Sequence, residues 1–148
     1  MTAAPAVVGG HLYLEQDGLV LLGRRHPDAV FGGSLWHVLA GHAERQESAL
    51  DCVVREALEE AGLVLDPADL TLVHTVHMPG SGPDAAPRIQ MFFRAARWTG
   101  EPQVLEPECC TEWKWWPREA LPPDIVSYTR AAITAIAQGR TYTEPGWT

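Results

Sequence analysis

The stretch Gly41–Leu63, GHAERQESALDCVVREALEEAGL, limits what this chain can become more than any other part of it. A loop opened by glycine runs into a segment of helical period that carries Glu56, Glu59 and Glu60. On a helix, residues three and four apart share a face, with Cβ atoms roughly 5–6 Å apart. At an effective dielectric near 20, a pair of carboxylates so placed repels by about 3 kcal/mol. An exposed acidic face tolerates this in water. An enclosed one calls for cations, and hard divalent ions take oxygen ligands. Plotted at about 100° per residue, Leu50, Val53, Val54, Ala57, Leu58 and Ala61 fall on one arc and the glutamates on the other, flanked by Arg55. The segment is therefore predicted to pack one face on a sheet and to present acid to a cleft with the other, with Gly62 as its stop.

Composition narrows the classes. A chain of 148 residues with 46% apolar content is sized for one domain with a real core. A net charge of −8 disfavours nucleic acid backbones and anionic membranes as partners. It leaves room for a small phosphorylated ligand, because a metal supplies positive charge. Three cysteines without a CxxC pair argue against a disulfide framework and for a reducing compartment. The opening MTAAPAVV lacks a basic n-region followed by an apolar core, and no apolar run reaches membrane-spanning length, so a cytoplasmic location is expected.

Read in order, Val7–Glu15 and Leu19–Arg24 are two strands joined through Gln16-Asp17-Gly18, a hairpin signal. Arg24, Arg25 and His26 follow, either as surface charge or, in one case, as a phosphate contact. His26–Leu35 is a loop, and Trp36–Ala40 a short strand leading to Gly41. Leu70–Met78 and Arg88–Trp98 are strands, with the Pro- and Gly-rich segment 79–87 between them either overhanging a pocket or forming a slack connection. Trp113–Trp116 is an aromatic strand. Pro122-Pro123-Asp124 opens a final helix that ends at Gly139, and residues 139–148 read as a loosely attached tail. Strands, acidic helix, strands and closing helix describe an α/β fold with a mixed sheet between helices.

The spacing from Gly41 through Glu47, Arg55-Glu56 and Glu59-Glu60 to Gly62 resembles the Nudix box of the Nudix hydrolase superfamily. A bare E-x-x-E-E would be weak, but chance agreement at all seven specified positions is on the order of once in a million for such a chain. Every charged and glycine position matches. Ala57 stands where the family prefers a larger aliphatic residue, and Leu39-Ala40-Gly41 replaces the common Pro-Gly-Gly. From Trp98 onward, WTGEP, EPECC and EWKWWPREALPP resemble the nucleoside triphosphate diphosphatase subgroup, whose members are often homodimers.

The resemblance implies an α/β/α sandwich and Mg²⁺-dependent hydrolysis, with Mn²⁺ as a substitute, of a nucleoside diphosphate linked to another group. It implies Glu56 and Glu60 as principal metal ligands, assisted by Glu59 and by the backbone carbonyl of Ala40. It implies further that Arg55 pairs with Glu47 to hold the loop against the helix, with Glu44 reaching the metal through water. Glu106 is the first candidate for an additional catalytic carboxylate, with Glu108 and Glu112 as alternates. Arg24, Trp36 and Trp115 are candidate substrate contacts, the tryptophans by stacking on a base, although the core accounts for Trp36 at least as well, and core or dimer interface accounts for Trp115 better. The substrate is expected to be a nucleotide, most simply a nucleoside triphosphate. A silent nucleotide-binding sensor, or a hydrolase of ADP-ribose or another diphosphate, remains an alternative.

Overall fold

Leu12 and Tyr13 are sequence neighbours in one strand, yet each is buried in a different core, on opposite faces of the fold. The computed structural model describes residues 2–148. Its elements are β1 (Val7–Tyr13), β2 (Glu15–Gln16), β3 (Leu19–Arg25), β4 (Trp36–His37), β5 (Leu39–His42), α1 (Ala49–Glu56), β6 (Leu70–Met78), β7 (Arg88–Ala95), β8 (Cys110–Pro117), α2 (Ser127–Ala137) and β9 (Tyr142–Thr143). A π turn, Ala57–Ala61, continues α1, and a 3₁₀ turn, Pro67–Asp69, precedes β6.

One sheet runs β5-β1-β7-β6-β9 and is mixed, with β1 parallel to β7 and antiparallel to β5. The other is built on β3, which pairs antiparallel with β2, β4 and β8. Because side chains alternate along a strand, Leu12 and Phe93 join Leu21, Val53, Ala57 and Ala61 in the core under α1. Tyr13 and Phe92 join Val20, Leu22, Ala132 and Ile133 in the core under α2. The expected α/β sandwich with a mixed sheet between helices is what the chain forms.

Local expectations fared unevenly. Asp17 and Gly18 do make the tight turn, with φ of 53° and 77°. The strand that this turn joins to β3 is only the two-residue β2, however, while β1 belongs to the other sheet. The predicted strand Trp36–Ala40 is two strands, since the chain changes sheets at buried Val38. Asp124 does not cap α2. Trp36 N–H donates to Asp124 O, and Val126 N–H donates to Trp36 O, both at 2.9 Å. These bonds hold residues 124–126 extended and delay the helix to Ser127. The tail is also attached more firmly than expected. Residues Tyr142–Thr143 add a parallel strand to β6, His74 bonds Arg140 O and Thr143 Oγ1, and Trp147 Nε1–H donates to His77 O at 2.9 Å. No helix among the described residues is long and apolar enough to cross a membrane.

Candidate metal centre

Ser48 starts α1 by accepting the Asp51 N–H on its Oγ at 3.0 Å. The face that α1 buries is a row four residues apart, Val53, Ala57 and Ala61, each fully enclosed. A π turn adds one residue per hydrogen-bonded ring, which keeps such a row aligned and is a frequent mark of functional sites. The same unwinding puts Leu58, expected on the apolar arc, 56% into solvent. Gly62, with φ of 69°, closes the turn, and Leu63 N–H reaches back to Ala57 O at 3.0 Å.

The widened helix presents Glu56 and Glu60 together, and the loop ahead of β8 brings Glu106 to them. One carboxylate oxygen from each lies within 4.8 Å of the others. Glu106 is placed by its own backbone, because its carbonyl accepts from Cys109 N–H at 2.9 Å and Cys110 N–H at 3.0 Å as the chain turns into β8. Burial, then the charges of Glu56 and Glu106, push the Glu60 carboxyl up to about 8, against the pull of Arg25. Burial also raises Glu56, opposed by Arg55. Gly41 makes room for this arrangement, since a Cβ there would collide with the Glu56 side chain. Ala40 precedes it on the same strand.

Arg55 braces the centre from outside. Its Nε and Nη2 hold Glu47 in a two-pronged pair at 2.8 and 2.9 Å, while Nη1 donates to Glu56 at 2.8 Å and to Glu59 at 3.2 Å. That pairing, together with the Glu44 N–H, draws the Glu47 carboxyl down to about 2. The predicted Arg55–Glu47 contact is thus present. Glu59 differs from expectation: its half-exposed carboxylate turns to Arg55 and stands outside the group of Glu56, Glu60 and Glu106. Glu44 is exposed, with its carboxylate 3.9 Å from Arg55 Nη2.

The expected substrate contacts are occupied elsewhere. Arg24 pairs with Asp124 at 3.1 Å and donates to Ser34 O. Trp36 is 4% exposed and meets Trp116 edge-on in the core, and Trp115 stacks on Trp98 with ring centroids 6.0 Å apart. Arg25, the next residue along β3, is the cation whose charge reaches Glu60. Strand alternation was the signal that could have separated it from Arg24.

A buried polar chain had no sequence signature at all. Thr129 Oγ1 bonds His37 Nδ1 at 2.7 Å, His37 Nε2 faces the Tyr128 hydroxyl at 3.3 Å, that hydroxyl meets His11 Nε2 at 2.7 Å, and His11 Nδ1 meets Gly9 O at 3.2 Å. Only one proton order satisfies every member. Thr129 donates to His37, His37 to Tyr128, Tyr128 to His11, and His11 to Gly9. Both imidazoles are then neutral, and burial, which pulls His11 down to about 3 and His37 well below its usual value, agrees.

The fit to a divalent cation rests on the donors. Glu56, Glu60 and Glu106 offer hard oxygen atoms, half-buried and mutually repelling, with too little protein cation nearby to neutralise them. Carboxylate oxygens of this kind suit hard divalent ions such as Mg²⁺, Ca²⁺ and Mn²⁺.

Comparisons with known proteins agree with this architecture. An octanoyltransferase of Myxococcus xanthus is 32% identical over 123 residues, 71% of this chain and 32% of that protein. The NAD-capped RNA hydrolase NudC of Pseudomonas putida is 31% identical over 119 residues, 80% of this chain and 40% of that protein. The chain therefore spans only about a third to two fifths of the length of these curated relatives. Among solved structures, the MutT NUDIX hydrolase from Burkholderia pseudomallei superposes with a TM-score of 0.78 at 25% identity, covering 88% of this chain and 97% of that one. The model of the NUDIX domain matches residues 4–135, which contain the box helix and all three clustered carboxylates, and on that match the chain belongs to the Nudix family.

Proposed function

We propose that this protein is a divalent-cation-dependent hydrolase that cleaves the pyrophosphate linkage of a nucleoside diphosphate derivative, with nucleoside triphosphates as the first substrate class. The observation that carries the reading is the convergence of Glu56, Glu60 and Glu106 at the mouth of the Nudix-box helix. A pyrophosphate is itself strongly anionic, so three carboxylates cannot receive it unaided. When bound, Mg²⁺ or Mn²⁺ supplies the charge that joins the two and acidifies the attacking water. Glu56 and Glu60 would hold the ion, with Glu106 completing the donor set or accepting the proton of the attacking water. Arg55 fixes the Glu56 carboxylate in place and is itself fixed by Glu47. Arg25 offers positive charge to the phosphate nearest the carboxylates. A cytoplasmic homodimer belongs to the same proposal, on the resemblance of residues 98–123.

The test is a panel of nucleoside triphosphates, ADP-ribose and nucleoside diphosphate sugars, assayed for product with Mg²⁺ and with EDTA. The expected result is cation-dependent turnover of at least one nucleoside triphosphate that Glu56→Gln and Glu60→Gln abolish while the fold survives. Tight nucleotide binding without turnover would favour a silent sensor instead.

A further inference from the structure

Trp36 and Trp115 are taken up by packing against other tryptophans, whereas the ring of Phe31 reaches solvent. It is 50% exposed, next to Val30, which is fully exposed, at the tip of the loop between β3 and β4. The loop that carries it has a constrained backbone. Gly33 lies against the backbone of Pro27 with no room for a Cβ, Gly32 takes φ of 62°, and Leu35 N–H closes back on Gly32 O at 3.0 Å. Arg25 Nε donates to the Phe31 carbonyl at 2.6 Å, and its guanidinium lies 5.7 Å from the Phe31 ring centroid.

Behind the ring stand His37 and Tyr128, each with its ring centroid 6.4 Å away. Their polar atoms are spent in the Thr129–His37–Tyr128–His11 chain, so they meet Phe31 as a stiff, uncharged wall. Arg25 joins the carboxylate cluster to this ring: it pairs across the strands with Cys110, whose N–H bonds the Glu106 carbonyl, and its guanidinium meets the Phe31 ring. A nucleotide likewise joins a pyrophosphate to a base.

We propose that Phe31 is the stacking face for the heteroaromatic base of the nucleotide, held in register with the phosphates by Arg25 and backed by His37 and Tyr128. The inference rests on the proposed nucleotide hydrolysis. Any base has a π-face, so Phe31 contributes affinity for nucleotides over base-free phosphates, and does not select among bases.

The experiment measures equilibrium binding to the full chain, with Mg²⁺ present, of two probes: a nucleoside triphosphate with a non-hydrolysable imido bridge, and inorganic tripolyphosphate. Phe31→Ala and Phe31→Leu should weaken the nucleotide roughly tenfold or more, from the usual worth of base–aromatic stacking, and leave tripolyphosphate unchanged. Phe31→Trp should retain the nucleotide. Equal loss of both probes in Phe31→Leu, or no loss of either, overturns the assignment. A wild-type protein that binds tripolyphosphate as tightly as nucleotide also overturns it, with the hydrolase reading intact. A wild type that binds neither probe overturns that reading and this inference together.

Discussion

Replacing Glu60 by glutamine should stabilise the metal-free protein. The Glu60 carboxyl, ordinarily near 4.5, is raised to about 8 by burial and by its neighbours Glu56 and Glu106. Between those values the folded protein holds a proton that the unfolded chain has released, so stability falls as pH rises. The contribution is fully present below about pH 4.5, is lost progressively as pH climbs, and is gone above about 8. At pH 7 the gap from the ordinary carboxyl is about 2.5 pH units at ~1.4 kcal/mol each, so the cost is roughly 2–3 kcal/mol once relaxation is allowed for. Glutamine keeps the shape and carries no proton to lose. Urea unfolding in EDTA should therefore show Glu60→Gln more stable than wild type by about that amount near pH 7, and equal to it near pH 4. Adding Mg²⁺ should reverse the order by stabilising only the wild type. A metal-free Glu60→Gln less stable than wild type at pH 7, or a difference that does not vary with pH, would refute the picture of carboxylates crowded together against their own charge.

Other perturbations have equally definite outcomes. Gly41→Ala places a methyl where the Glu56 side chain sits, so Mg²⁺ titrations should show weakened binding while circular dichroism stays native. Glu47→Gln breaks one charged prong of the Arg55 clamp and should lower Mg²⁺ affinity or turnover by about 10–100-fold, the usual effect of losing a group that orients a ligand. Tyr128→Phe leaves His11 Nε2 and His37 Nε2 without their shared partner inside the core, which should cost about 1–3 kcal/mol in chemical unfolding.

The parts that sequence alone revealed are those encoded by neighbours. Glu56, Glu60, Arg55 and Gly62 sit in one continuous stretch whose periodicity predicts their faces, and the apolar row of α1 follows from the same spacing. Glu106 was named only through the resemblance, as a carboxylate from a later loop, and its meeting with Glu60 depends on the turn into β8. What stayed hidden depends on partners far along the chain. The extended segment ahead of α2 exists because Trp36 bonds both of its ends, and the tail became a strand because β6 had an open edge. Trp36 and Trp115 drew attention as aromatic residues of the right kind, yet packing consumed both. Phe31 was passed over as one apolar residue in a glycine-rich loop, since nothing local shows that its ring remains in solvent. The π turn was equally invisible. Its sequence, ALEEA, suits an ordinary helix.

The most direct test of the central claim is the anomalous difference map of a crystal soaked in Mn²⁺. The account predicts a peak within coordinating distance, about 2.1 Å for a Mg²⁺-like ion, of carboxylate oxygens from Glu56 and Glu60, with Glu106 facing the same ion. A map with manganese bound elsewhere and these three carboxylates bare would contradict it.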